Sequence, residues 1–151
     1  MPNVNQKSPA AQTVTGFQWG PKSTSELAKV LPKLVDCATL ALTRYSTQDF
    51  MCYDGIRTLV EQRHYVAIGT SKTMESQHLP QADGFGHAVD LVPVVGGIPK
   101  WDWGLIYSVA KAMWEAANQL GIAKNIRWGG AWDRVLSDFT DHTDFMKVVQ
   151  D

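Results

Sequence analysis

The sequence predicts an α+β fold, a small antiparallel sheet flanked by helices. Three observations point there. Apolar residues at helical spacing alternate along the chain with short extended runs, in the order α-β-α-β-α-β-α. One extended run ends in Gly96-Gly97, a hairpin turn signal. With 151 residues, 44% of them hydrophobic, the chain can bury one core of its own.

The elements follow in order. Residues 1–16 are rich in Pro, Ser, Thr, Asn and Gln and read as a flexible N-terminal arm; residues 17–151 form the domain. Leu27, Val30, Leu31, Leu34, Val35, Ala38 and Leu42 recur at helical spacing, which predicts a helix over about 24–45. Ser23 and Glu26 offer it a capping box, and Pro32 marks a kink or restart. Asp49 to Asp54 reads as a strand ended by Gly55. A second helix runs from Arg57 to about Ala67. Residues 69–84 form a loop full of Ser, Thr, Gln and Gly. Gly86 to Val95 is the next strand, and a short extended piece precedes Trp101.

A strong helix covers about 104–120, with Leu105, Ile106, Val109, Ala112, Met113, Ala116 and Leu120 on its apolar face and Gly121 as its C-cap. A further strand lies in Ile122 to Gly130. Residues 133–151 turn helical near the end.

Composition excludes several classes of function. The formal net charge is −1 and the pI about 6.4, so no basic surplus invites nucleic acid. No stretch is long and apolar enough to span a bilayer, and the N-terminus lacks the apolar core of a secretory signal. The protein is expected to fold in a cytoplasm and to meet a small molecule, sugar or peptide. Cys37 and Cys52 each sit in apolar sequence and read as buried free thiols rather than a disulfide framework.

The stretch Ser76 to Pro93 carries the most chemistry. His78 lies in a polar loop. Twelve residues on, Asp90 stands inside the apolar run Ala88 to Val92. A carboxylate there is costly to bury unless something pairs with it. A metal ion would do so, and imidazole plus carboxylate oxygen is a set zinc accepts. A surface loop followed by a strand with an edge Asp accounts for the same residues.

Other residues carry chemistry, each with a plainer use beside it. Ser76, two before His78, either holds the loop or bonds a ligand. His87 lies three before Asp90, on the opposite face of a strand, so His78 is the better partner. Arg57 stands at a strand-to-helix junction, from which a guanidinium can reach a carboxylate or an oxyanion; a surface salt bridge is the plainer use. His64 lies on a polar helix and reads as solvated. Trp101, Trp103, Trp128 and Trp132 either flank a cleft or fill the core. His142 stands among Asp138, Asp141 and Asp144, as a third ligand with a general base beside it or as an exposed acidic turn.

Taken together, GIRTLVEQRHYV, SKTMESQHL, GHAVDLVP, the WDW helix and IRWGGAWDR resemble the zinc peptidases of peptidoglycan. That family includes D-alanyl-D-alanine carboxypeptidases and bacteriophage endolysins that act as L-alanyl-D-glutamate peptidases. The likeness runs from about Phe17 to Arg134, in the family's order, and the phage branch is nearer. It implies a zinc cofactor held by the His of Ser-x-His and the Asp of Ala-x-Asp, here His78 and Asp90. It implies that Arg57 steadies the scissile carbonyl and that Ser76 is the motif's serine. Ser76 and Trp128 are the residues expected to contact substrate. Bacterial peptidoglycan would be the partner, with neither nucleic acid nor membrane, and the protein a monomer. Its place would be the host cytoplasm until the membrane is permeabilised.

Two departures stand out. The segment around Pro80 to Phe85 is about five residues longer than the family's spacing, which a loop tolerates cheaply. The terminal element that supplies the family's third ligand and general base has no match. Either the chain stops short of it or His142, with Asp141 as general base, closes the site. The first alternative leaves a non-catalytic wall-binding relative; the second leaves a peptidase for the L-Ala–D-Glu bond or, as runner-up, the D-Ala–D-Ala bond.

Overall fold

Pro21 opens the first helix of the fold, as its fixed φ and missing N–H suit the first helical position. The computed structural model describes residues 13–131 and 134–140. In it α1 spans Pro21–Leu27, with Gly20 as N-cap. The predicted Ser23–Glu26 box is not formed. Ser23 is buried, and its Oγ accepts the Cys52 N–H at 3.0 Å.

The helix expected over 24–45 is not continuous. Pro32 cannot donate to the preceding turn and starts a second helix, α2, over Pro32–Leu40. A π turn, Ala41–Tyr45, closes it. Strand β1 is Phe50–Asp54. Helix α3, Leu59–Ala67, begins in a complete capping box between Thr58 and Glu61. Strand β2 is Asp90–Val95 and β3 is Ile98–Pro99. The sheet order is β1-β2-β3. The hairpin registers Val94 with Pro99 and Val95 with Ile98, and Gly96 and Gly97 turn it at φ 58° and 78°, as a primed two-residue turn demands.

Helix α4 spans Trp103–Leu120, capped by the Asp102 side chain and by Gly121 at φ 72°. Its buried face holds Val109, Ala110, Ala112, Met113, Ala116 and Ala117. Leu120, placed on that face by periodicity, is exposed because the last turn runs past the core. The strand expected within 122–130 is replaced by a 3-10 turn, Ala123–Asn125, and a single bridge from Arg127 to Val135. The chain turns again at Trp128 to Ala131, which leaves too few residues for a ladder. Leu136–Asp138 is a second 3-10 turn.

The chain forms two compact units. The first comprises the described parts of Met1–Gln18, Cys37–Phe50 and Pro93–Asp151. There α4 packs on the π turn and on both 3-10 turns, burying Cys37, Ala38, Leu42, Met113, Leu136 and Phe139. Small residues on α4 let the chain approach closely enough for the Cys37 thiol to meet the Met113 carbonyl at 3.8 Å. Residues 1–12 of the predicted arm lie outside the described residues; at its end, Val14 and Thr15 donate backbone bonds to the Thr43 carbonyl.

The second unit is Trp19–Asp36 and Met51–Val92. Its loop over 69–89 is pinned to the link between α1 and α2: Gly86 donates to the Lys29 carbonyl at 3.0 Å and accepts from Leu31 at 2.9 Å. No helix among the described residues is long and apolar enough to cross a membrane.

Candidate metal centre

The second unit holds the residues that carry chemistry. β1 ends at Asp54, and Gly55 and Ile56 lead to Arg57 just before α3. Gly55 is required where it stands, since a Cβ would fall inside the Glu26 carbonyl. Glu26, freed from any capping role, accepts the Gly55 N–H at 3.2 Å. The Gly55 carbonyl in turn lies 2.6 Å from His78 Nδ1.

That contact fixes the histidine. A carbonyl only accepts, so Nδ1 carries the proton and Nε2 presents its lone pair. Nε2 faces Asp90 Oδ1 at 3.5 Å. The backbone on either side of the ring is held as well. The His78 N–H donates to Ser76 Oγ at 3.1 Å, and the His78 carbonyl accepts from the Arg57 N–H at 2.8 Å. Ser76 therefore holds the loop, and its hydroxyl proton is left to donate.

The longer segment around Pro80 to Phe85 folds on itself. Pro80 bridges Gly86, Gln81 accepts from Gly84 at 2.8 Å and donates to Phe85 at 2.9 Å. The extra residues thus leave His78 and Asp90 side by side. The strand expected over 86–95 begins only at Asp90, so His87 lies in the loop before it, where its ring meets Asp83 at 2.8 Å.

Arg57 ties the site together. Its Nε donates to Asp54 Oδ2 at 2.6 Å, one terminal nitrogen to Gln62 Oε1 at 3.0 Å and the other to Asp90 Oδ2 at 3.3 Å. The Tyr65 ring lies under the guanidinium, 4.7 Å away. Gln62 is the only buried residue of α3. Its amide donates to Ser71 Oγ at 2.9 Å and to the Thr73 carbonyl at 2.6 Å, so Arg57 is linked to the start of the loop that carries His78.

Burial and charge shape these groups. Burial pushes the Asp54 carboxyl up from the ordinary carboxylate value, and the bond to Arg57 pulls it back. Burial alone would lower His78, but the hydrogen bond and charge of Asp90 outweigh it and leave the imidazole above its usual value. Cys52 and Cys37 are pushed up to about 12 by burial. Burial thus disfavours the thiolate, the form in which a cysteine acts as a nucleophile.

Asp54, His78 and Asp90 each bring one ligand atom within 4.8 Å of the others. One imidazole nitrogen with a fixed tautomer and two carboxylates suit a divalent metal of zinc's kind. Arg57, His78 and Asp90, singled out from the sequence, lie together here; Asp54 and Gln62, which join them, were not singled out. Asp54 was legible as an acidic strand end three residues before Arg57. Gln62 could have been found only by asking which face of a polar helix turns inward. Asp141 and His142 lie outside the described residues. Trp128 belongs to the first unit, where its half-exposed ring meets Tyr107 edge-on at 6.4 Å.

Comparison with known proteins bears on this geometry. The sequence model of the phage L-alanyl-D-glutamate peptidases matches residues 15–148. The L-alanyl-D-glutamate peptidase of Escherichia phage T5 is 34% identical over 121 residues, covering 78% of this chain and 82% of that protein. The crystal structure of the Serratia marcescens L-Ala D-Glu endopeptidase ChiX is similar with a TM-score of 0.65 at 36% identity, covering 77% of this chain and 82% of that one.

Proposed function

Because the chain belongs to the phage L-alanyl-D-glutamate peptidase family, we propose that it is a zinc-dependent endolysin cleaving the L-Ala–D-Glu bond of the peptidoglycan stem peptide. The observation that carries this reading is the convergence of His78, Asp90 and Arg57, three residues far apart in sequence, within one unit.

His78 Nε2 and Asp90 would hold the zinc. His142 would be the third ligand and Asp141 the general base that takes a proton from water and passes it to the leaving amine; the family's terminal element has no match here, and His142 is assigned as the one histidine that follows Asp90 in the sequence. The chemistry a bound zinc supplies is polarisation of the scissile carbonyl and a water of lowered pKa.

The chain's own contribution is largely electrostatic. Arg57 has five N–H groups, and three are engaged with Asp54, Gln62 and Asp90. The other two serve the oxyanion that forms as the amide is attacked. A donor fixed in advance does not reorganise at the moment of reaction, which is where such groups gain their effect. Ser76 donates its hydroxyl to the substrate backbone, and Trp128 offers an apolar ring face. The protein works as a monomer on bacterial peptidoglycan, from the host cytoplasm once the membrane is breached.

The test is to digest purified peptidoglycan and map the fragments by mass. New amino termini on D-glutamate, abolished by excess chelator and restored by zinc, support the proposal. Termini at another bond, or cleavage indifferent to chelator, contradict it.

A further inference from the structure

Three groups surround the candidate metal position, but they are not held alike. Asp54 Oδ2 lies 2.6 Å from Arg57 Nε, and the two side chains are only 11% and 13% exposed. The contacts of Asp90 are longer, 3.3 Å to Arg57 and 3.5 Å to His78, and its side chain is 43% exposed. A short ionic hydrogen bond shielded from water is much the stronger of the two. A cation arriving here would therefore draw Asp90 away from Arg57 readily, and would have to displace or share a guanidinium to take Asp54.

We propose that Asp54 is a positioning residue that fixes the Arg57 guanidinium and does not ligate the ion; this rests on the peptidase reading above. Asp54, Gln62 and the Tyr65 ring hold Arg57 from three directions, none of which involves Asp90. The guanidinium thus keeps its orientation when Asp90 is given up to a metal. Asp54 has the right place for this, at the end of β1 and three residues before its partner.

The test uses the full chain and its Asp54→Asn, Asp54→Glu, Arg57→Ala and Asp54→Asn/Arg57→Ala variants. Cobalt(II) is added to each metal-free protein and its visible absorption recorded, and each zinc-loaded protein is assayed on a peptide containing the L-Ala–D-Glu bond. The proposal expects Asp54→Asn to bind one cobalt with the wild-type spectrum, while kcat falls at least about tenfold and KM holds within about twofold. Asp54→Glu, which keeps the charge, regains part of the rate with the same spectrum.

The double variant should be no slower than Arg57→Ala, since two residues acting as one unit do not lose rate twice. A shifted spectrum or lost cobalt in Asp54→Asn overturns the proposal, as do losses that multiply in the double variant. If the wild type cuts no peptide, the peptidase reading fails, and the cobalt spectra still decide whether Asp54 is a ligand.

Discussion

The Nδ1 of His78 lies 2.6 Å from the carbonyl oxygen of Gly55, and this contact decides which nitrogen of the ring is available for a ligand. It links a loop histidine to the turn that follows β1. Replacing Gly55 with Ala drives a Cβ into the Glu26 carbonyl and must shift the turn. A loss of about 1–3 kcal/mol of stability is expected from such overpacking, read by urea unfolding. Metal affinity should fall as well, because the ring loses its anchor. A Gly55→Ala protein with unchanged stability and affinity would show that the anchor is unnecessary.

Arg57 donates in three directions at once. A lysine ammonium carries the charge on a single atom without a planar fork, and cannot reproduce that geometry. Arg57→Lys should lose roughly 10²-fold in kcat, the scale for removing an oxyanion donor, with little change in metal content. The check is steady-state kinetics beside metal analysis; a near-normal kcat would remove Arg57 from the reaction.

Gln62→Leu removes the amide that joins one Arg57 nitrogen to the Thr73 carbonyl and Ser71 Oγ, and takes from that Arg57 nitrogen its Gln62 acceptor, while Ser71 Oγ still donates to the Thr73 carbonyl at 3.3 Å. Buried polar groups left unpaired cost about 1–3 kcal/mol. Denaturant unfolding should report a loss of that size together with reduced activity. Unchanged stability would mean that water replaces the amide.

How much of this was legible in the sequence depends on the range of the interaction. The C-cap at Gly121, the turn at Gly96-Gly97 and the nearness of His78 to Asp90 follow local rules or a motif. The break at Pro32 was marked as an alternative. What failed required knowledge of partners distant in sequence. Ser23 gave up a local cap for the Cys52 N–H, 29 residues away, and Glu26 for the Gly55 N–H. The strand expected within 122–130 has β-forming residues, but among the described residues its ladder is one bridge, Arg127 to Val135. Asp54 and Gln62 escaped notice because neither has a pattern of its own; each is defined by its bond to Arg57.

The cysteines offer an independent check on the core. Both are buried and free, with thiols pushed up to about 12. Burial disfavours the charged thiolate, so the reactive form is scarce at pH 8. Native protein at pH 8 should therefore resist a thiol reagent, and both thiols should react in denaturant. Fast modification of the native protein would contradict the burial of Cys37 or Cys52.

The central claim is that His78 and Asp90 hold the ion on which peptide cleavage depends. Zinc per chain after dialysis tests it most directly, for the wild type, His78→Ala and His142→Ala. One zinc in the wild type, lost from both variants, is the predicted result and would establish His142 as the closing ligand. A full zinc retained in His78→Ala, or none bound by the wild type, would contradict the account.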